Sequence, residues 1–225
     1  QHHVSHRSAF QRRLIDQPLM RNVVADMVLE SEAALNLSLR VARAVDNQNS
    51  NEDERSFARI STAISKYWIT KRAPYLVFEA LECHGGPGYI EESIMPRLYR
   101  EAPLNSIWEG SGNVMCLDVL RALQRDKNAL PALFRELASA KGSNKNFDES
   151  FSHLKETLQD PIDLEIKARL LTEKMACLIQ ASIFIKTGEE EKVSAFCDSR
   201  LGPRWSGAFG TLPTDTSFEY IMGNF

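Results

Sequence analysis

The sequence predicts an all-α protein, and two observations carry the prediction. Apolar residues recur at spacings of three and four almost from end to end, and glycine, proline or charged clusters punctuate the segments that carry this pattern. With 225 residues, 43% of them hydrophobic, the chain can bury a sizeable core, as one domain or as one domain plus an appendage. The expected division is a helical bundle over residues 1–125 and a further helical extension over residues 126–225.

Between Leu19 and Val45, an apolar stripe of Val23, Met27, Ala34, Leu37 and Val41 predicts a long core helix. Asp46 to Glu54 is polar and reads as a linker, in which Glu52, Asp53 and Glu54 suit the positive end of the next helix. Phe57, Ile60, Ile64, Trp68, Val77 and Leu81 mark a second long helix, with Pro74 a point for a bend. His84 to Gly88 ends it. A short helix over Glu91 to Tyr99 and another over Asn113 to Arg125, repeating Val114, Leu117, Leu120 and Leu123, complete a four-segment bundle.

In the second part, Asn128 to Ala140, Asp148 to Gln159, Pro161 to Lys186 and Glu189 to Leu201 carry helical spacing. Pro161 suits a first helical position, and Gly142, Gly188 and Gly202 suit helix stops. Gly202 to Phe225 is rich in Gly, Pro, Ser and Thr and reads as a loop or packed tail.

Two clusters carry chemistry. In Ile107-Trp108-Glu109-Gly110-Ser111-Gly112-Asn113, a single carboxylate follows two apolar residues and precedes two glycines. A carboxyl leaving an apolar wall is desolvated, which suits a general base, and glycines let a cofactor or substrate come close to the backbone. The other reading is a helix start, with Glu109 in the first turn and Ser111 or Asn113 as a cap. Upstream, His84-Gly85-Gly86-Pro87-Gly88 forces a tight loop whose amides suit a phosphate or a flavin edge, or else is only a helix stop.

The order and spacing of these clusters resemble the C-terminal domain of flavin-dependent acyl-CoA dehydrogenases. Members open with Arg-x-x-Phe, continue to a Gln-x-x-Gly-Gly-x-Gly loop, and carry the base in a Tyr/Trp-Glu-Gly-Thr/Ser segment. Here these are Arg7-Ser8-Ala9-Phe10, Glu82 to Tyr89, and Trp108-Glu109-Gly110-Ser111. The wording Pro96 to Glu101 and Ser106 to Arg121 is similar to the AidB-like branch in particular. The chain departs from the pattern at Glu82, where the family has a glutamine that meets flavin across a subunit boundary, at Gln11, where a glycine is common, and at Pro18, near where a glutamine is expected.

The resemblance implies that the chain is the C-terminal part of a longer protein, preceded by a helical domain and a β-barrel that complete the flavin pocket. It implies oxidation of an acyl-CoA thioester to the 2,3-enoyl-CoA, with Glu109 taking the α proton and FAD taking the β hydride. Arg7 then meets the FAD pyrophosphate and Phe10 its adenine end, Gly85 and Gly86 let their loop approach the cofactor, and Ser111 and Asn113 add polar contacts. The implied partners are an acyl-CoA, a second copy in a homodimer or dimer of dimers, and an acceptor such as electron-transfer flavoprotein. An alternative within the AidB-like branch is a flavoprotein that acts by binding DNA or sequestering acyl-CoA. A purely structural helical oligomerisation module is a third reading.

Charge weighs against DNA. Lys127, Arg135, Lys141, Lys145, Lys155, Lys167, Arg169, Lys174, Lys186, Lys192, Arg200 and Arg204 face a larger set of Asp and Glu after residue 125, and the whole chain carries a formal charge of -3. Cys83, Cys116, Cys177 and Cys197 lack metal-ligand spacing and read as reduced intracellular thiols, which places the protein in the cytoplasm or mitochondrial matrix. His2, His3 and His6 read as native sequence rather than a metal cluster or a tag remnant, so no metal is expected. No run is long and apolar enough to span a bilayer.

Overall fold

A helical hairpin of 30 and 32 residues forms the spine of the molecule: α2 (Pro18–Asn47) and α3 (Glu52–Cys83). The structure, a computed structural model, describes residues 1–159, 162–203 and 207–223. Pro18 opens α2 with the backbone angle a first helical residue needs. Asn51 caps α3, its side-chain oxygen accepting from the amides of Asp53 and Glu54. The polar linker therefore shrinks to residues 48–51. The α3 helix runs through Pro74 without a break in its span.

The expected stripe on α2 is displaced by about one residue. Val24, Ala25, Leu29, Ala33, Leu37 and Ala44 are buried, while Val23, Met27 and Ala34 are only half-buried. The displacement arises because Asp26 and Glu30, which pattern as surface charges, face inward. They meet Arg72 from α3 and Arg200 from the far end of the chain: Arg72 Nε lies 3.1 Å from Glu30, Arg200 Nη2 lies 3.0 Å from Glu30, and Arg200 also pairs with Asp26. Burial opposes the charge on Arg200, but the carboxylates of Asp26 and Glu30 outweigh it and hold its pKa above the ordinary value.

Ahead of the spine lie α1 (His2–His6) and a two-residue hairpin of β1 (Ser8–Ala9) and β2 (Arg12–Arg13), paired antiparallel as Ser8 with Arg13 and Ala9 with Arg12. The Arg-x-x-Phe segment thus forms a hairpin and does not itself open the long helix. After α3 come a single turn, α4 (Gly86–Tyr89), then α5 (Met95–Glu101), a 3-10 stretch over Ala102–Ser106, and α6 (Gly112–Arg125). The short helix expected over Glu91 to Tyr99 begins only at Met95, as α5, and residues 91–94 are turn. Cys116, Val119 and Ala122 form the buried face of α6, so Val114 and Leu117 of the expected stripe lie exposed on its flank. Asp118 pins α6 to α3 through both nitrogens of Arg59, at 2.8 and 2.9 Å.

The extension comprises α7 (Ala129–Ala138), α8 (Lys145–Gln159), α9 (Ala168–Thr187), α10 (Glu190–Phe196) and α11 (Phe218–Met222), with a wide π-type turn over Cys197–Leu201 between the last two. The helix expected from Pro161 begins instead at Ala168. Pro161 lies outside the described residues, and residues 162–167 form turns, with Asp163 at φ 60° and Ile162 and Ile166 exposed. Gly188 ends α9 in the left-handed conformation, as its position suggested. The tail packs along α2: Asn22 exchanges two 3.1 Å hydrogen bonds with the backbone of Leu212, and Arg21 pairs with Glu219. α9 is the central helix of the extension and joins the core formed by α2, α3 and α6, so both parts share one apolar interior.

Candidate active site

The Glu109 loop sits against the middle of α3. Lys66 on that helix donates from Nζ to the carbonyl oxygens of Trp108 at 3.0 Å and Gly110 at 2.5 Å, the residues on either side of Glu109. Glu109 and Gly110 both have positive φ, at 54° and 116°. Such a conformation in a non-glycine residue costs on the order of 1 kcal/mol, so it persists only where its surroundings hold it. Lys66 supplies that hold. Gly110 is required by its φ; a Cβ there would stand 2.5 Å from Met115 Cε, the mobile end of a flexible side chain, and the adjoining space is filled by Met115 and Val114.

Glu109 therefore precedes α6 and does not form its first turn, which removes the helix-start reading. Ser111 occupies the N-cap position with extended backbone, but its hydroxyl makes no capping bond. Asn113, in the first turn, accepts at Oδ1 from Arg169 Nε at 2.8 Å. The apolar wall expected behind Glu109 is not closed among the described residues. Ile107 is 63% exposed and Trp108 57%. Beneath the loop, burial pushes the Tyr67 hydroxyl up to about 12 and raises the Cys116 thiol as well.

The second group of residues gathers at the C-terminal end of α3. His3 of α1 stacks on His84, ring centroids 4.3 Å apart, and Arg7 lines a cavity of about 540 Å³ with His2, His3, His6 and His84. Among the described residues no carboxylate pairs with Arg7. Burial, then the neighbouring charges of His84 and Arg7, lower the pKa of His3. Phe10 sits at the hairpin tip, 90% exposed, and with Gln11 it takes positive φ, at 53° and 66°. A two-residue loop with both φ positive is a type I′ turn, where a glycine in place of Gln11 is unstrained.

The glycines of the second loop divide. Gly85, at φ 64°, and Gly86 have nothing within 4 Å of where a Cβ would stand, so a visitor can come close on that side, although the Gly85 N–H already donates to Glu82 and the two carbonyls accept from Gly88 and Ile90. Gly88 is structural: a Cβ there would lie 2.2 Å from the carbonyl oxygen of Leu81. An open pair of glycines beside a cation without a carboxylate fits a phosphate-bearing cofactor.

The structure thus brings Glu109 together with Ser111 and Asn113, and Arg7 together with the Gly85–Gly86 end of α3. It does not unite the two sets. Lys66 and His84 are 18 residues apart on one helix, about 27 Å along its axis. Lys66, Arg169 and the His3–His84 stack were not found by sequence reasoning. Lys66 patterns as a solvated position beside Ile64 and Trp68, and Arg169 lies beyond the segments that carry the family resemblance.

The model of the acyl-CoA dehydrogenase C-terminal domain matches residues 1–124. AidB of Escherichia coli is 39% identical over 203 residues, 90% of this chain and 37% of that protein. The fold is similar to Caenorhabditis elegans ACDH-11 solved in complex with C11-CoA, at TM-score 0.80 and 24% identity over 92% of this chain and 41% of that one. It is also similar to an acyl-CoA dehydrogenase from Bacillus anthracis complexed with FAD, at TM-score 0.66 and 18% identity over 89% of this chain and 41% of that one. The chain spans about two-fifths of the length of each of these three proteins.

Proposed function

The chain belongs to the acyl-CoA dehydrogenase family through its C-terminal domain, and from that premise we propose that it carries the catalytic base and part of the FAD site for oxidation of an acyl-CoA to the 2,3-enoyl-CoA. The observation that carries this reading is the Glu109 loop. A carboxylate stands in a left-handed conformation between two carbonyls that one lysine holds, beside the exposed side chains of Ile107 and Trp108. A proton acceptor must be aimed before substrate arrives, because orientation contributes more to the rate than reach.

Glu109 takes the α proton on its carboxylate, and its own backbone N–H helps polarise the thioester carbonyl. Substrate and the facing wall of the site cover Ile107 and Trp108, drying the carboxylate as they bind. Arg7 holds the pyrophosphate of FAD, Phe10 packs at its adenine end, Gly85 and Gly86 admit it to the loop backbone, and Ser111 and Asn113 add polar contacts. FAD, when bound, supplies the acceptor for the β hydride.

The separation of about 27 Å along α3 supports a site shared between copies, with Arg7 and the Gly85–Gly86 loop of one subunit serving the Glu109 of another. Exposed Tyr75, Phe78, Ile94, Leu98 and Tyr99 give such a pairing an apolar face. The family resemblance extends the reading to a homodimer or dimer of dimers and to an acceptor such as electron-transfer flavoprotein.

A binding role toward acyl-CoA without turnover is the second reading, favoured by Glu82, an exposed acceptor where the family has a donor. DNA binding has less support. Lys186, Lys192, Arg135 and Arg200 of the extension are engaged in ion pairs. The test is the absorption spectrum of the full-length protein with butanoyl-CoA, octanoyl-CoA and C11-CoA. Bleaching of the flavin supports turnover, tight binding without bleaching supports sequestration, and the absence of both contradicts the proposal.

A further inference from the structure

The family model ends at residue 124, yet a residue well beyond that limit reaches the loop of the base. Arg169, in the first turn of α9, donates from Nε to Asn113 Oδ1 at 2.8 Å. Its Nη2 stands 3.5 Å from where a Cβ on Gly112 would be, and the Tyr67 ring stands 3.3 Å from the same point. Gly112 thus lets the guanidinium lie over the first turn of α6, between that turn and α9. A Cβ at 112 would be tight against the Tyr67 ring and in ordinary contact with the guanidinium.

We infer that Arg169 is a positioning residue for Asn113 and that the C-terminal extension is, through it, part of the cofactor site. The inference rests on the flavin reading above. A carboxamide offers one acceptor atom and one two-proton donor, whereas a guanidinium only donates. Arg169 can therefore bond only to Oδ1, which selects one of the two flips of the Asn113 amide. What Asn113 retains for a ligand is its Nδ2 donor. A donor is what a flavin ring carbonyl, a ring nitrogen lone pair or a phosphate oxygen needs. Glu82 offers only an acceptor where the family has a glutamine, so Asn113 restores donor capacity from the opposite loop.

The experiment uses the full-length protein and three variants, Arg169→Ala, Arg169→Lys and Asn113→Asp. It reads FAD affinity, the shape of the bound flavin's visible band, the thermal midpoint, and amide hydrogen exchange over residues 111–115. Arg169→Ala weakens FAD about tenfold, the size of one hydrogen bond, and shifts the band. Arg169→Lys restores part of both. Asn113→Asp keeps a charged contact to Arg169, and so keeps the thermal midpoint, yet it loses FAD as strongly because a carboxylate has no donor. A merely structural contact predicts the reverse for Asn113→Asp. Wild-type affinity and spectrum in Arg169→Ala or in Asn113→Asp overturn the inference. If the wild-type protein holds no FAD, the flavin reading itself has failed, and exchange decides the rest: unchanged protection of residues 111–115 in Arg169→Ala overturns the positioning role, and faster exchange confined to them sustains it.

Discussion

The two glycine-bearing loops beside α3 are held in opposite ways. The Glu109 loop is gripped from both sides, by Lys66 on two carbonyls and by Arg169 on Asn113. The Gly85–Gly86 loop is open, its backbone untouched where a side chain would project, next to an arginine without a carboxylate partner among the described residues. Under the proposed function the contrast has a reason: a base loses rate for every misalignment, which a clamped loop prevents, whereas a cofactor cradle has to admit a large ligand.

The contrast can be broken most severely at the carboxylate. Glu109→Gln in the full-length protein lowers flavin reduction by acyl-CoA by roughly 10² to 10⁴, the range for a general base, and leaves FAD content unchanged. Rapid-mixing absorbance measures it, and a wild-type rate removes Glu109 as base. Releasing the clamp comes next. Lys66→Met frees the carbonyls of Trp108 and Gly110 and costs about 10² in rate, the scale of a misplacement near 1 Å. The fold survives this change, because Lys66 is only half-buried and α3 is pinned to α6 by Arg59 and Asp118. Unaltered kinetics in that variant would show that the loop is held by something else.

At the open loop the loss falls on binding. Arg7→Ala weakens FAD by about 1.5 to 3 kcal/mol, the loss of a charge-assisted phosphate contact, with the reduction rate at saturating FAD retained. A loss of rate without a loss of affinity would place Arg7 among the reacting groups. The smallest effect belongs to neither loop. Burial pushes Glu136 up, but Arg40 and Lys186 outweigh it and hold its pKa below the ordinary glutamate value of 4.5. Its contribution to stability is therefore complete above that value and is lost as the pH falls through the lowered one. Thermal midpoints taken from pH 6 downward should fall on acidification, and less so in Glu136→Gln; identical slopes would remove Glu136 from the account.

Long periodic helices were legible because burial repeats every three or four residues regardless of what the helix meets. Their inward faces were less so. Asp26 and Glu30 pattern as surface, and their burial is made tolerable by Arg72, Arg200 and the Gly210 amide, 42 to 184 positions away from the carboxylates they meet. The start of α9 misled for a related reason: Ile162 and Ile166 carry helical spacing, yet they stand 65% and 84% exposed, and Asp163 turns the chain. At the candidate site, residue types singled out Glu109 and the glycines, because the proposed chemistry needs a carboxylate and a close approach to backbone. Lys66 and Arg169 were silent, since a cation that grips a loop has the same sequence signature as one that faces water.

The central claim is that one site draws on the open loop of one subunit and the clamped loop of another, and mixing two inactive proteins tests it directly. Full-length Glu109→Gln and Arg7→Glu, each impaired alone, are unfolded together and refolded as a mixture. If the loops of two subunits meet, hybrid dimers contain one intact site, and activity returns to about a quarter of the wild-type level on random pairing. If both loops serve a site within one chain, no hybrid has an intact site and the mixture stays as inactive as its parts.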